Sequence, residues 1–317
     1  MNLRGRTHSL LATTRVANIP SVVCNVWLGA MIHRHFVNPV MDWASLTSLI
    51  AAGVCLYVAG NFLNDWMDRG WDRQHRPERA LPRGLFTPGN YLTLAVIFAA
   101  AGTALAFSTH RLAGATALCI LLFIVIYTIW HKRSPWMVIP MGLCRALLPI
   151  MGALGMLTVD LNAEILAKIV VVAALAGGAL FFYIAGLSLS ARGETNPARS
   201  TSVKALSLVC FLITALMIFP LSLPLQISGW WWLAPVPYLV WWIVCQTRCR
   251  RPISKYVSAL LAGIPLIDCI TLIPLALWML TGVDSNAAAQ PLAIISLILP
   301  PLAVLFALAL QRLAPAT

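Results

Sequence analysis

The sequence predicts an all-α membrane protein, in which residues 1–317 form one polytopic transmembrane domain. Hydrophobic residues make up 60% of the chain and charged residues only 10%. The mean hydropathy of +0.84 is far above that of soluble domains. The apolar runs are continuous, whereas the strands of membrane β-barrels alternate apolar and polar residues, so the bundle is expected to be helical.

Ten apolar runs are each close to the length of about 20 residues that a bilayer core requires. They cover 16–33, 44–63, 89–108, 112–130, 136–157, 164–190, 202–222, 229–246, 256–281 and 290–311. The first run keeps Asn18 and Asn25 and has no small-residue cleavage site, so we expect a span there and not a signal peptide. We therefore expect nine to ten transmembrane helices, with the charge pattern favouring ten.

Positive charge predicts the orientation of these spans. With ten spans, 18 of the 22 Lys and Arg residues fall on the side of the N-terminus, three fall on the other side, and Arg145 lies within a span. By the positive-inside rule, the richer side is cytoplasmic. We expect an integral protein of the inner (cytoplasmic) membrane with both termini in the cytoplasm. The same bias explains the net charge of +12, so no nucleic-acid partner is expected. Membrane lipids are expected to surround the protein.

The few acidic residues are clustered. Of ten in the chain, Asp65, Asp68 and Asp72 lie within eight positions, directly after the second apolar run. At helical spacing Asn64, Asp68 and Asp72 share one face, which therefore carries a stripe of oxygen atoms. Hard oxygen ligands suit Mg²⁺, which also binds substrate phosphates. Asn64, Asp68 and Asp72 are thus candidate metal ligands, with Asp65 beside them.

Five arginines interleave with the acidic stripe and continue after it, and their guanidinium groups suit the oxygens of a diphosphate. They are Arg69, Arg73, Arg76, Arg79 and Arg83. The alternative is a solvated helix end whose acids and arginines pair with each other. Asn64 begins the stripe, and its later positions on the same face are acidic without a basic residue among them, which favours a metal–diphosphate site. Arg76 and Arg79 are then the substrate-binding candidates.

Two adjacent motifs point to a family. The stretch Asn64-Asp65-x-x-Asp68-x-x-x-Asp72 is followed by Arg76-Pro77-x-Arg79-x-x-Pro82-x-Gly84. Over about residues 15–200 the chain resembles the UbiA-type intramembrane prenyltransferases, with looser support from Tyr127 to Lys132 and from Gly142-Leu-Cys-Arg145. The resemblance implies an all-helical bundle, usually of nine spans, around a central cavity.

The resemblance also implies a reaction. Such proteins bind a prenyl diphosphate through Mg²⁺ held by two Asp-rich motifs, the diphosphate leaves, and a small, often aromatic acceptor attacks the allylic cation. On this basis Asp68, Asp72 and Lys132 are the expected catalytic residues, and together with Asn64 they are expected to face one cavity. The face of Tyr127 suits the carbocation, because a desolvated cation–π contact is worth about 2 kcal/mol or more.

Arg145 and Asp268 are ionisable residues within predicted spans. A charge there is costly unless it is paired or faces a cavity, so we expect Arg145 to bind a diphosphate or a carboxylate in the cavity. The alternative for Arg145 is a structural role, bonded to backbone carbonyls. Asp268 is a proton or ion relay, or it caps a local helix irregularity, or it pairs with a neighbouring span. An unrelated secondary transporter using both residues is a further possibility that the motif at 64–84 disfavours.

The second Asp-rich motif of the family is altered in this chain. The expected Asp-x-x-x-Asp reads Gly186-Leu-Ser188-Leu-Ser190-Ala-Arg192-Gly-Glu194, in which Glu194 is the one carboxylate. One interpretation is a single-Mg²⁺ prenyltransferase in which Arg192 and Glu194 contact the substrate and Arg192 takes over charge neutralisation. The other is a protein that no longer ionises a substrate and instead binds or exports a lipid-like metabolite. The altered stretch resembles the divergent EboC-like branch, which is associated with metabolite-export gene clusters.

Overall fold

The computed structural model describes residues 3–37, 40–132, 134–157, 161–193, 200–281 and 289–314, and these ranges contain helices and no strand. The helices are α1 (Leu3–Thr14), α2 (Ile19–Val37), α3 (Trp43–His75), α4 (Pro88–Thr109), α5 (Arg111–Trp130), α6 (Val138–Gly155), α7 (Ala163–Gly193), α8 (Ser200–Leu216), α9 (Ile218–Ser222), α10 (Val236–Arg248), α11 (Ile253–Ala262), α12 (Pro265–Thr281) and α13 (Ala289–Leu313). The short helix α1 precedes the first predicted span.

Nine helical segments within the described ranges are long and apolar enough to cross a membrane. The run at 229–246, predicted as a further full span, is instead a 3₁₀ turn (Gly229–Leu233) followed by the 13-residue α10. At 1.5 Å per residue, α10 is about 20 Å long, which is shorter than a bilayer core. As a single helix α10 is thus too short to span a bilayer, but Leu223 lines a cavity at one end of the bundle and Arg250 lines one at the other. The chain therefore crosses here as a 3₁₀ turn followed by α10, and not as one continuous helix. Pro235 and Pro237 confine the α-helix to the second half of the run, because proline is tolerated at a helix start and not in its interior.

Helix α3 continues well past its apolar run and carries the acidic stripe. Its 33 residues begin after Asp42, whose carboxylate accepts hydrogen bonds from the backbone N–H groups of Ala44 and Ser45. The hydrogen bond from the Ser45 hydroxyl is the main cause that lowers the pKa of Asp42. The helix ends where Arg76 leaves helical geometry (φ −142°), as expected for a residue that precedes proline. Asp65, Asp68 and Asp72 thus lie on a rigid helical extension.

Glycines bring α2 and α6 into direct backbone contact. A Cβ atom on Gly29 would lie 2.1 Å from the carbonyl oxygen of Pro149, and one on Gly152 would lie 2.4 Å from that of Val26. Helices approach this closely only through small residues, which is the usual basis of helix packing in membranes. The close approach places Asn25 of α2 opposite Arg145 of α6.

The polar segments gather at one end of the bundle. The turn after α5 meets the end of α3 through Lys132 and Asp68, and α1 leads to Arg15, which lies near Asp65. The 3₁₀ turn Val16–Asn18 packs against α11 and α13. Ser190, Lys204 and Arg250 line one cavity at this end. His35, Lys168, Leu223 and Trp278 line a cavity at the opposite end.

Candidate active site

Asp68 lies at the centre of the first of two charge clusters on α3. Its Oδ1 atom is 2.5 Å from Nζ of Lys132, and its Oδ2 atom is 3.3 Å from Nε2 of His131. The Asn64 amide nitrogen donates to the same Oδ2 at 3.4 Å. The carboxylate is almost buried, since Asp68 is 8% exposed. Side chains of α3 and of the turn after α5 therefore converge on one carboxylate.

Arg79 is the centre of the second cluster. Its Nη1 atom lies 2.9 Å from Oδ2 of Asp72 and 3.2 Å from Oδ1 of Asp65. Arg15 approaches the same Asp65 oxygen at 4.0 Å. Acids and arginines thus pair with each other, as the alternative interpretation of the stripe expected. The setting differs from a solvated helix end, because Asp72 is only 2% exposed.

Two oxygen atoms of the Asn64–Asp68–Asp72 stripe are available to bind a cation. Asn64 Oδ1 and Asp72 Oδ1 are buried and have no hydrogen-bond partner among the described residues. A buried polar atom without a partner is uncommon in proteins, and oxygen lone pairs are what Mg²⁺ binds. In the described part of the chain, however, no three His, Cys, Asp or Glu side chains gather at metal-binding distances. Successive stripe residues are also about 6 Å apart along the helix axis. The donors therefore fit a Mg²⁺ ion that completes its shell with water and substrate oxygens, and not a closed protein cage.

Two cavities meet this part of α3. An apolar cavity of about 190 Å³ runs down the bundle from Asn64 and Thr128 to Leu148. A polar cavity of about 280 Å³ lies under α1 and is lined by His8, Arg15, Asp65, Arg76, Glu78, Arg79 and Arg83 among others. Asn64 lines the first cavity and Arg15 lines both. Of the residues expected to share one cavity, Asn64 lines the apolar cavity and Asp65 lines the polar one, whereas Asp68, Asp72 and Lys132 line neither of these two.

Arg145 lies deep in the apolar cavity, which it lines while being 8% exposed. Its guanidinium carbon is 5.6 Å from the centre of the Tyr57 ring. Tyr57 precedes Asp68 by eleven residues, or about 16 Å along the axis of α3. Arg145 is therefore expected to lie well below Asp68, which favours a carboxylate over the diphosphate as its ligand.

A buried hydrogen-bond chain holds Arg145. Its Nη1 atom donates to Oδ1 of Asn25 at 3.0 Å. The Asn25 amide nitrogen donates in turn to both carboxylate oxygens of Asp268, at 3.0 and 2.8 Å. Asp268 is thus the partner of a neighbouring span, which is one of the roles expected for it, and it is linked to Arg145 through the amide of Asn25.

Tyr127 and His131 form a second contact near the mouth of the apolar cavity. Tyr127 lines the cavity, and its ring stacks on that of His131 with 5.1 Å between the ring centres. Sequence reasoning selected Tyr127 and missed His131. The available signal was the four-residue spacing, which places the two rings on one face of α5.

Arg15 was also missed as a site residue. It lies between α1 and the 3₁₀ turn Val16–Asn18 with φ 47° and ψ 50°, in the left-handed region. Its backbone carbonyl accepts a hydrogen bond from the Tyr57 hydroxyl at 3.4 Å. Residues held in this region often belong to functional sites, but nothing in the sequence around Arg15 predicts its backbone conformation.

The altered second motif turns its hydroxyl groups towards neighbouring helices. The Ser190 hydroxyl lies 2.5 Å from that of Ser207, which donates to the Gly186 carbonyl at 2.8 Å. Ser188 contacts the sulfur of Met141 at 3.6 Å. The side chain of Arg192 and all of Glu194 lie outside what the structure describes.

Comparison with known proteins agrees with the motifs. The model of the UbiA prenyltransferase family matches residues 22–259. Protoheme IX farnesyltransferase of Pyrobaculum islandicum is 30% identical over 155 residues, which are 46% of this chain and 55% of that protein. Digeranylgeranylglyceryl phosphate synthase of Halobacterium salinarum is 28% identical over 207 residues, which are 60% of this chain and 70% of that protein.

Solved structures share the fold. An apo structure of a UbiA homolog from Aeropyrum pernix K1 superposes with a TM-score of 0.58 at 15% identity, over 90% of this chain and 96% of that chain. A structure from work on digeranylgeranylglyceryl phosphate synthase in membranes superposes with a TM-score of 0.53 at 17% identity, over 97% and 99%. With a family match over most of its length and nine apolar helices in its described part, the chain is an integral membrane protein that belongs to the UbiA prenyltransferase family.

Proposed function

We propose that the protein transfers an isoprenoid from a prenyl diphosphate to a small acceptor. The observation that carries this proposal is Asp68, held by Lys132, His131 and Asn64 next to the mouth of an apolar cavity. A charged, oxygen-rich cluster beside an apolar channel suits a substrate with a diphosphate head and a hydrocarbon chain. The relatives named above are by name a farnesyltransferase and a digeranylgeranylglyceryl phosphate synthase.

Lys132, Arg76 and Arg79 are the proposed diphosphate-binding residues. Lys132 and Arg79 pair with carboxylates in this structure, and a diphosphate would give them a second anionic partner. Donors preorganised around a leaving group stabilise the charge that develops on it. Asn64, Asp68 and Asp72 would hold Mg²⁺, which supplies further neutralisation of the leaving diphosphate. Below them, the cavity wall would exclude water from the allylic cation, with the ring of Tyr127 near it.

Arg145 is the proposed contact for the acceptor. It lines the far part of the apolar cavity, where a small aromatic acceptor would lie beyond the reactive carbon. A guanidinium group there favours an acceptor with a carboxylate or another anionic group. Asn25 and Asp268 fix its position and leave most of its five N–H donors available.

A second candidate function is binding or export of a lipid-like metabolite without bond cleavage. It is favoured by Ser188 and Ser190, which stand in the altered second motif and bond to neighbouring helices. Without aspartates there, the described residues offer oxygen ligands for one Mg²⁺ site only, on α3.

One assay separates the two functions. The purified protein in liposomes is given prenyl diphosphates of increasing chain length, with small aromatic acceptors that either carry or lack a carboxylate. Mg²⁺-dependent formation of a prenylated product, preferentially with the anionic acceptors, is expected. Accumulation of the intact compound inside the vesicles, with no diphosphate release, would instead establish transport.

A further inference from the structure

We propose that a cavity between α7, α8, α10 and α11 binds an anionic phospholipid at a site separate from the candidate active site. Its volume is about 360 Å³. Lys204, Arg250 and Gln246 line it together with Leu208, Phe211 and Trp242. It combines a cationic rim with an apolar wall, which is the arrangement that an amphiphile with an anionic head requires.

Helix α7 separates this cavity from the apolar cavity of the candidate active site. Ile184 of α7 lines the active-site cavity, whereas Ser190 lines the lipid cavity. The hydrogen bonds of Ser207 to Ser190 and Gly186 tie α7 to α8 beside it. No described residue lines both cavities. A ligand in the lipid cavity would therefore not contact Asp68 or Arg145.

Among the described residues, the rim of the lipid cavity carries positive charge without an acidic partner. Lys204 lies in the first turns of α8, and Arg250 lies two residues after the end of α10. Both side chains are exposed, and neither forms an ion pair within the described ranges. No acidic side chain among the described residues lines the cavity. Cations at this end of the helices lie at the level of lipid headgroups and attract anionic ones.

The apolar wall of the lipid cavity favours a phospholipid over a free anion as its ligand. Leu208 and Phe211 follow Lys204 along α8 at helical spacing, and Trp242 packs on Phe211 with 5.9 Å between the ring centres. On the outer face of α8, Leu206, Leu208 and Leu212 are 45 to 48% exposed. An acyl chain can lie along this wall while its phosphate stays at the rim. A free phosphate would use the rim alone, so the combination favours the phospholipid.

Native mass spectrometry of the full chain in detergent tests the site, with phosphatidylglycerol and phosphatidylcholine of identical acyl chains as probes. We expect phosphatidylglycerol to bind the wild type about 25-fold more tightly, because two cations line the rim. Each cation near an anionic headgroup is worth about fivefold in affinity. The double variant Lys204→Gln/Arg250→Gln should therefore lose most of the preference. The matched control Arg248→Gln/Arg251→Gln removes two charges that do not line the cavity and should keep it.

Three results would overturn the lipid site. The first is equal binding of the two lipids by the wild type, and the second is an equal loss of preference in both double variants. The third is displacement of phosphatidylglycerol by millimolar inorganic phosphate, which would indicate a site for free anions. Since no prenyl diphosphate is present in the experiment, its outcome does not depend on the proposed transferase function.

Discussion

Asp68 is the residue on which the proposed chemistry depends most. The variant Asp68→Asn keeps the shape of the side chain but removes the charge that Lys132 and His131 face. Because electrostatic groups aimed at a leaving group contribute about two to three orders of magnitude in rate, we expect diphosphate release to fall by about that factor. The measurement is diphosphate release in liposomes. Glu164→Gln, which changes an exposed carboxylate paired with Lys168 at the other end of the bundle, should retain wild-type rates. An Asp68→Asn protein with more than a tenth of wild-type activity would contradict the assignment.

Arg79 is expected to be structural as well as substrate-binding. The variant Arg79→Gln leaves the carboxylates of Asp72 and Asp65 without their nearest cation. Breaking a buried pair from one side costs about 3 kcal/mol, so thermal unfolding in detergent should shift to lower temperature. The double variant Arg79→Gln/Asp72→Asn should recover part of the loss, because the buried charge is removed as well. Strictly additive effects of the two substitutions would show that the pair is not coupled.

Some residue contacts could be predicted from the sequence, and others could not. The stripe of Asn64, Asp68 and Asp72 follows from helical spacing alone, and Lys132 was placed near it by the family resemblance. The link from Asn25 to Asp268 joins residues 243 positions apart and depends on how α2 and α12 pack. The depth of Arg145 likewise depends on the register of α6 against α3, which no local pattern encodes.

Two glycines on α2 and α6 provide a test at the scale of elements. Gly29→Ala would place a Cβ atom 2.1 Å from the backbone of α6. The helices must separate to accept it, so we expect a lower unfolding temperature and weaker binding of an anionic acceptor at Arg145. Gly70→Ala is the matched control, because a Cβ atom there meets nothing within 4 Å. It should be neutral or slightly stabilising, since alanine favours a helix by up to about 1 kcal/mol over glycine. Equal unfolding temperatures for the two variants would refute the close contact.

Hydropathy located most elements but not all of their ends. The apolar run at 44–63 ends twelve residues before α3 does, because the stripe is helical without being apolar. The run at 229–246 is apolar throughout, yet its prolines leave a 13-residue helix. In both cases a proline marks the helix end: α3 ends before Pro77, and α10 begins at Pro235 and Pro237. Hydropathy alone does not locate these ends.

At the scale of the whole molecule, charge and fold agree on which segments share one end. We expect Glu78→Cys and Arg250→Cys to react with a membrane-impermeant maleimide from the same side, and Glu164→Cys to react from the other. The unsubstituted chain serves as the reference, because its eight cysteines are free. Labelling of residues 78 and 250 from opposite sides would contradict the arrangement. The path of the chain across the membrane could be predicted because most spans are long and apolar. The lipid cavity could not, because it depends on how α7, α8, α10 and α11 pack against each other.

If the proposed function is right, the α3 cluster ionises an allylic prenyl diphosphate. This ionisation is tested most directly by comparing diphosphate release from an allylic prenyl diphosphate with release from its saturated counterpart, in liposomes, with Mg²⁺ or with a chelator. Both compounds present the same head and chain length, but only the allylic one yields a stabilised cation. We predict that diphosphate is released only from the allylic compound and only when Mg²⁺ is present. No release from the allylic compound, or equal release from both, would contradict ionisation at the α3 cluster.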